Sequence, residues 1–244
     1  MKRIVVLTAY NVERTLVRTL EELPQDCWDE LLLVDDGSQD GTRRIAESLH
    51  VPCVSHPKNL GYGAAQKTGF RLALERGADV VILLHADHQY DARCIPGMLN
   101  LLSQGHADAV FGSRRLGGRC LQGGMPWWKF IGNVVLTGWQ NLCIGAKLTD
   151  PHSGLRVYSR RYLEQVPFEQ YNDGFLFDAQ IILDGVARGL RIHEIPIPTR
   201  YFAEASQMGW HTGLRYAAGI MTLSSRQLIR RIDACQPIRV AEGA

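Results

Sequence analysis

No apolar run in this chain approaches the roughly 18–20 residues that a membrane-spanning helix needs. Nor does any pair of cysteines stand at CxxC spacing; the six (positions 27, 53, 94, 120, 143 and 235) are scattered. That pattern excludes a zinc cluster or a disulfide framework and predicts reduced, mostly buried thiols. Excess charge of one sign is also missing: 27 Lys and Arg against 25 Asp and Glu leave a formal +2, far from the strongly basic balance of a general nucleic-acid binder. The start, Met1-Lys2-Arg3, leads only into the short apolar stretch 4–7, too brief for a secretory signal. A cytoplasmic protein, at most peripheral to a membrane, is expected. What is present is an ordinary globular composition, 45% apolar over 244 residues, long enough for one sizeable core.

Short apolar runs at 4–7, 31–34, 51–55, 80–84 and 109–112 alternate with helical patterns near 12–22, 42–49, 63–76 and 94–103. Strands apolar on both faces and separated by helices predict a parallel α/β sheet covered on both sides, folded as a single domain over 1–233 with a flexible tail from 234 to 244. Right-handed crossovers then bring the strand C-termini to one edge, where ligands bind. The polar clusters fall at those ends: Thr8-Ala9-Tyr10-Asn11, Asp35-Asp36-Gly37-Ser38, His85-Ala86-Asp87-His88-Gln89 and Gly112-Ser113-Arg114. Further on, 127–146 reads as an aromatic-rich helix, 149–156 as a polar segment, and 175–189 as a helix. A stretch near 191–201 is demoted to a sheet edge by Pro196 and Pro198. The last helix, 211–232, places Leu214, Ala218, Met221, Leu228 and Ile232 on one face, with Arg215, Arg226 and Arg230 off it.

Several clusters suggest chemistry. Two adjacent carboxylates, Asp35 and Asp36, at a strand terminus can accept hydrogen bonds from a base or a ribose; a turn with a helix cap is the simpler reading of their neighbours. Asp87, flanked by His85 and Gln89, suits Mg²⁺ or Mn²⁺ with phosphates supplied by substrate, and extended backbone would put all three on one side. Gly61-Tyr62-Gly63 lacks the third glycine of a dinucleotide fingerprint and follows the wrong strand, so its glycines read as turn and close-packing residues. That reduces a Rossmann oxidoreductase to a minor alternative. Arg114, Arg115 and Arg119 form a basic cluster able to grip phosphate, or simply a solvated surface. Asp173 and Asp178 lie before and within the later helix, whose N-terminus favours carboxylates anyway.

Together the motifs resemble the family 2 nucleotide-sugar glycosyltransferases of the GT-A fold, especially the polyprenyl-phosphate mannose and glucose synthases. Thr8-Ala9-Tyr10-Asn11-Val12-Glu13 is similar to P-A-Y-N-x-E, the run from Asp35 to Thr42 to D-D-G-S-x-D-x-T, and Asn59-Leu60-Gly61-Tyr62-Gly63 to N-x-G-x-G. The run from His85 to Gln89 is similar to D-A-D-x-Q, Gly112-Ser113-Arg114 to G-S-R, and the run from Asp150 to Arg156 to D-x-x-S-G-x-R. The resemblance spans about 3–206 and implies a Rossmann-like, mostly parallel sheet. It implies a nucleotide pocket from Thr8, Tyr10, Glu13, Asp35 and Asp36, and an ion, Mg²⁺ or Mn²⁺, held by Asp87 and Gln89 with His85. Arg114 and Arg200 would face phosphates near Ser206. Three departures stand out: His85 for the first Asp, Thr8 for Pro, and Gln180 for a carboxylate, which leaves Asp178 as the nearby candidate for a base.

The reaction so implied is inverting transfer of a hexose from a UDP- or GDP-sugar to an acceptor. A lipid phosphate needs no general base whereas a hydroxyl does, and the sparse supply of bases favours the phosphate. A glycan hydroxyl acceptor, a non-catalytic nucleotide-sugar binder and a sugar-1-phosphate nucleotidyltransferase are the alternatives. The last lacks its expected Gly-rich loop at 8–12. Trp127, Trp128, Phe130, Ile131, Val134, Val135, Leu136 and Trp139, beside Lys129 and the arginine cluster, suit either a membrane-surface helix or one packed on the sheet.

Overall fold

The computed structural model describes residues 1–118, 124–201 and 210–235. Arg119, Ser206 and most of the tail expected over 234–244 lie outside the described residues; its first two residues, Ala234 and Cys235, belong to the last helix. Seven strands form one sheet: β1 (Arg3–Ala9), β2 (Glu30–Asp35), β3 (Cys53–Ser55), β4 (Val80–His85), β5 (Ala109–Ser113), β6 (Arg156–Ser159) and β7 (Ile192–Pro196). Their order is β3-β2-β1-β4-β6-β5-β7. All neighbours are parallel except β6, which runs antiparallel to both β4 and β5. The expected α/β sheet is therefore present, with one antiparallel strand that the polar segment 149–156 did not announce.

Period-two alternation along the central strands sorts their side chains into two cores. Val5, Leu7, Leu33, Ile82 and Leu84 face one side, packed by α1 (Leu16–Glu21), α2 (Thr42–Ser48) and α4 (Ile95–Ser103). Val6, Leu32, Val34, Val81 and Leu83 face the other, where α3 (Tyr62–Glu75), α5 (Trp127–Ile144), α6 (Arg160–Gln165) and α7 (Leu176–Ala187) lie. Strands apolar on both faces thus have a helical layer on each. β7 carries Pro196 and pairs only with β5, so it closes the sheet as an edge, as its prolines require.

Two features depart from the periodicity reading. In α8 (Trp210–Cys235) the buried side is Ile220 and Ser224, with Leu223 and Leu228 half-buried. Leu214, Met221 and Ile232 of the predicted apolar face are exposed. This helix packs on α5 and α7 rather than on the sheet. In α5 the buried residues are Thr137, Gln140, Cys143 and Ile144, while Trp127, Trp128, Ile131, Val135 and Leu142 are exposed. The helix ends at Gly145, in the left-handed conformation. Cys27 and Cys143 are buried, Cys53 and Cys94 half-buried, and all four are free thiols.

Candidate active site

The C-terminal ends of β1, β2 and β4 and the N-terminal approach to β6 meet along one sheet edge. Thr8 lies half-buried between Val34 and His85 in register, and Tyr10 projects into solvent. The loops after β1 and β2 are stitched together. The Asn11 amide N–H donates to Ser38 Oγ (2.9 Å), that of Val12 to Thr42 Oγ1 (2.8 Å), and Glu13 Oε2 accepts from the Gly41 N–H (2.6 Å). Asp35 is buried and accepts the Ser38 N–H through one oxygen (3.0 Å).

Asp36 does something different. Its carboxylate accepts the amide N–H groups of Leu60 and Gly61 (both 2.9 Å), and His56 Nδ1 lies 2.7 Å from it. The other ring nitrogen of His56 meets Thr68 Oγ1 on α3 at 3.0 Å. Asp36 therefore folds the loop into α3, a structural task beyond the nucleoside contact expected of it. At Gly61, φ is +116°, and a Cβ would stand 2.5 Å from the Asp173 carbonyl oxygen. That same carbonyl accepts the N–H groups of Gly63 (2.6 Å) and Ala64 (3.1 Å). The start of α3 is already capped by backbone, which fits close packing rather than phosphate binding.

After β4 the chain does not stay extended. It turns at Ala86 and Asp87, and His88 takes a left-handed φ of 58°. Asp87 is buried and accepts the Gln89 N–H at 3.1 Å. Among the described residues no group of three or more His, Cys, Asp or Glu side chains converges to hold an ion. His85 is engaged elsewhere: its Nε2 lies 3.0 Å from the Tyr62 hydroxyl, and its ring lies against Gly154. Burial, with Arg156 and Arg114 nearby, pushes its pKa down to about 3, so it is neutral.

Asp178, the expected base, is committed. It pairs with Arg156 (2.8 Å) and accepts from the Tyr62 hydroxyl (2.8 Å) and Gln66 Nε2 (3.1 Å). Arg156 is fully buried; it also donates to the carbonyls of Pro151 (3.0 Å) and Ser153 (2.8 Å) and lies 4.9 Å over the Phe111 ring. A carboxylate whose oxygens carry these contacts anchors a loop and is poorly placed to collect a proton from an acceptor. Gln180 likewise accepts the Asn172 N–H (2.7 Å) and shapes the same region.

Both arginines expected at phosphates have carboxylate partners. Arg114 is gripped by Asp150 through Nε (2.6 Å) and an Nη (2.7 Å), and reaches Tyr201 Oη at 3.1 Å. Arg200 forms a two-pronged pair with Glu22 (2.8 and 2.9 Å) and lies 3.3 Å from His88. Its segment is drawn to the β4 turn by the Tyr90–Thr199 bridge and an N–H donated to the Gln89 carbonyl (3.0 Å). The edge thus joins Thr8, Asp35, Asp87, Gln89 and Arg114 but holds Arg200 toward α1. Sequence reasoning gave Asp150 a place in a motif but no role and missed Glu194, which accepts the N–H groups of Thr149 (2.6 Å) and Asp150 (2.7 Å). The recurrence of Asp150 beside Arg156 in one motif was the available signal.

An open α/β sheet with polar loops at its C-terminal edge and one antiparallel strand beyond β4 is the architecture of the GT-A class. The chain belongs to glycosyl transferase family 2, whose profile matches residues 4–166, and it is a glycosyltransferase. It is 31% identical over 208 residues to an undecaprenyl-phosphate mannosyltransferase of Micrococcus luteus, covering 81% of this chain and 83% of that one. It is 28% identical over 213 residues to a UDP-N-acetylglucosamine–dolichyl-phosphate N-acetylglucosaminyltransferase of Methanococcus voltae, covering 80% and 84%. Its fold is similar to that of glucosyl-3-phosphoglycerate synthase from Mycobacterium tuberculosis solved with UDP, with a TM-score of 0.69 at 20% identity over 91% of this chain and 80% of that one.

Proposed function

We propose that this enzyme transfers a hexose from a nucleoside-diphosphate sugar to a polyprenyl phosphate at a membrane surface. The observation that carries this reading is the pairing of a nucleotide-type sheet edge with two relatives named for lipid-phosphate acceptors. Asp35, Thr8 and Tyr10 receive the nucleoside. Asp87 and Gln89 hold Mg²⁺ or Mn²⁺: one buried carboxylate with an amide oxygen is an oxygen donor set that fits a hard cation completed by substrate phosphates. The structural neighbour was crystallised with Mn²⁺ and UDP-glucose and with Mg²⁺ and UDP, which supports a divalent ion here. The bound ion supplies charge neutralisation of the leaving diphosphate.

The residues do the rest by position. Arg114, fixed by Asp150, presents a buried cation beside that edge and favours negative charge building there. Asp178, the base expected for a hydroxyl acceptor, is tied to Arg156, whereas a phosphate acceptor arrives anionic and needs no base. The neighbour also binds phosphoglyceric acid, and a soluble phosphorylated acceptor is the second reading that this observation favours. No helix among the described residues is long and apolar enough to cross a membrane. The exposed Trp127, Trp128, Ile131 and Val135 of α5 suit contact with its surface, at the cytoplasmic face.

The test is a panel of UDP- and GDP-hexoses scored by shift in melting temperature, with and without Mn²⁺, on wild type and Asp87→Asn. Ion-dependent stabilisation in the wild type that the variant loses supports the reading. Equal shifts in both proteins remove Asp87 from the site.

A further inference from the structure

We propose that His85 reads a hydroxyl of the transferred sugar through its Nδ1 and is not a ligand of the ion. The inference rests on the donor-site reading above and deepens it.

Tyr62 fixes the imidazole. Its hydroxyl has one proton, and that proton goes to Asp178, which is paired with Arg156 and can only accept (2.8 Å). The Tyr62 oxygen must then accept from His85 Nε2–H at 3.0 Å. The ring proton therefore sits on Nε2, and Nδ1 keeps a bare lone pair. The ring cannot rotate away: Tyr62 and Tyr90 stand edge-on to it at 5.2 and 5.7 Å, and Gly154 lies so close that a Cβ there would fall 2.2 Å from Cε1.

Around His85 the surfaces are aromatic. Phe175, 37% exposed, stacks on Tyr62 at 5.1 Å and approaches Tyr216 at 6.5 Å, and the Tyr216 hydroxyl meets His152 Nδ1 at 2.9 Å. Ring faces with a few oriented polar atoms match a sugar, which offers C–H faces and hydroxyls together. A hard divalent cation prefers oxygen, and the buried carboxylate of Asp87, two residues on, offers it what the imidazole does not. Strand order agrees. With the nucleoside at β2 and β1 and the diphosphate at β4, the next segment along the edge leads into β6 and contains Gly154.

The experiment compares dissociation constants of UDP and GDP with those of their hexose conjugates, by calorimetry with Mn²⁺ present. His85→Ala should weaken the sugar nucleotide about tenfold, the worth of one oriented hydrogen bond, and leave the nucleoside diphosphate unchanged. His85→Asn, whose amide oxygen can take over the acceptor role, should restore part of the loss. Tyr62→Phe should reduce sugar-nucleotide affinity severalfold without touching the diphosphate. These last two carry the test if His85→Ala does not fold. Equal weakening of both ligands, together with an imidazole ¹⁴N coupling in the Mn²⁺ spin-echo spectrum of the wild type, overturns the proposal and returns His85 to the ion. Sugar-nucleotide affinity unchanged in every variant also overturns it. Failure of the wild type to bind any nucleotide instead sinks the donor-site reading itself.

Discussion

Arg114 and Asp150 face each other through two hydrogen bonds of 2.6 and 2.7 Å, with Asp150 wholly buried. Burial alone would raise the Asp150 pKa, yet the guanidinium beside it brings the carboxyl down to about 2. The Arg114 backbone N–H adds a third contact to this carboxylate at 3.0 Å and Asn133 Nδ2 a fourth at 3.1 Å, and Glu194 holds the Asp150 backbone, so the pair is fixed from several elements. Such a fork orients Arg114 toward the sheet edge while screening part of its charge.

Removing the carboxylate leaves a buried, uncompensated cation. Asp150→Ala should lower unfolding free energy by about 3–5 kcal/mol, the usual cost of stranding one member of a buried pair. Urea denaturation checks this. A loss below about 1 kcal/mol would show that solvent reaches Arg114 readily.

Asp36→Ala should destabilise as well as weaken donor binding. The variant deletes the acceptor of the Leu60 and Gly61 N–H groups and the partner of His56, at a side chain only 5% exposed. A loss of about 2–3 kcal/mol is expected from stranded buried donors. A melting curve superimposable on the wild type would return Asp36 to a purely ligand-facing role.

Acid should unfold the protein from a higher pH than its carboxylates alone require. His85 and His152 are held neutral chiefly by burial, with pKa values pushed down to about 3 and about 4 from 6.5. A folded-state pKa below the unfolded one means that the unfolded chain binds more protons. The stability is full above pH 6.5 and falls as pH drops toward the folded values, by about 1.4 kcal/mol per pH unit for each histidine. Denaturation midpoints measured between pH 7 and 4.5 should show this slope, and His152→Asn should make it shallower. A flat profile over that range would mean that the imidazoles take up protons in the folded state.

Much of the fold was legible because its signals are local. Apolar runs bounded by polar clusters located β1, β2, β4 and β5, and two prolines put β7 at an edge. β6 escaped because Arg156, buried and charged, breaks the apolar pattern; it is paid for by Asp178 and two carbonyls far away in sequence or hidden in a turn. The same reason hid the partners of Asp36 and Arg114. A carboxylate at a strand end looks ligand-facing until the distant amides and guanidinium that it meets are known. The inward face of α8 was misjudged because Ser224 is buried while Met221 is exposed, an outcome set by the helices it packs against rather than by its own periodicity.

The exposed face of α5 and α8 yields the last prediction. Trp139 Nε1 lies 3.5 Å from the Met221 carbonyl, and Arg231 donates to the Cys143 carbonyl at 3.0 Å, so the two helices are tied along their length. Trp127, Trp128, Ile131, Val135 and Leu142 on one, and Leu214, Met221, Ile229 and Ile232 on the other, remain exposed. Arg215, Arg226 and Arg230 are also exposed on α8. Apolar area with basic neighbours predicts binding to anionic vesicles by both hydrophobic insertion and charge. In flotation with phosphatidylglycerol liposomes the wild type should float at low salt and partly sink at high salt. Trp128→Ser with Val135→Asp should weaken flotation about tenfold or more, since each change removes roughly 1–3 kcal/mol of insertion free energy. Both positions are exposed, so the melting temperature should hold. Wild-type protein that stays at the bottom at low salt, even with polyprenyl phosphate in the vesicles, would favour the soluble phosphorylated acceptor.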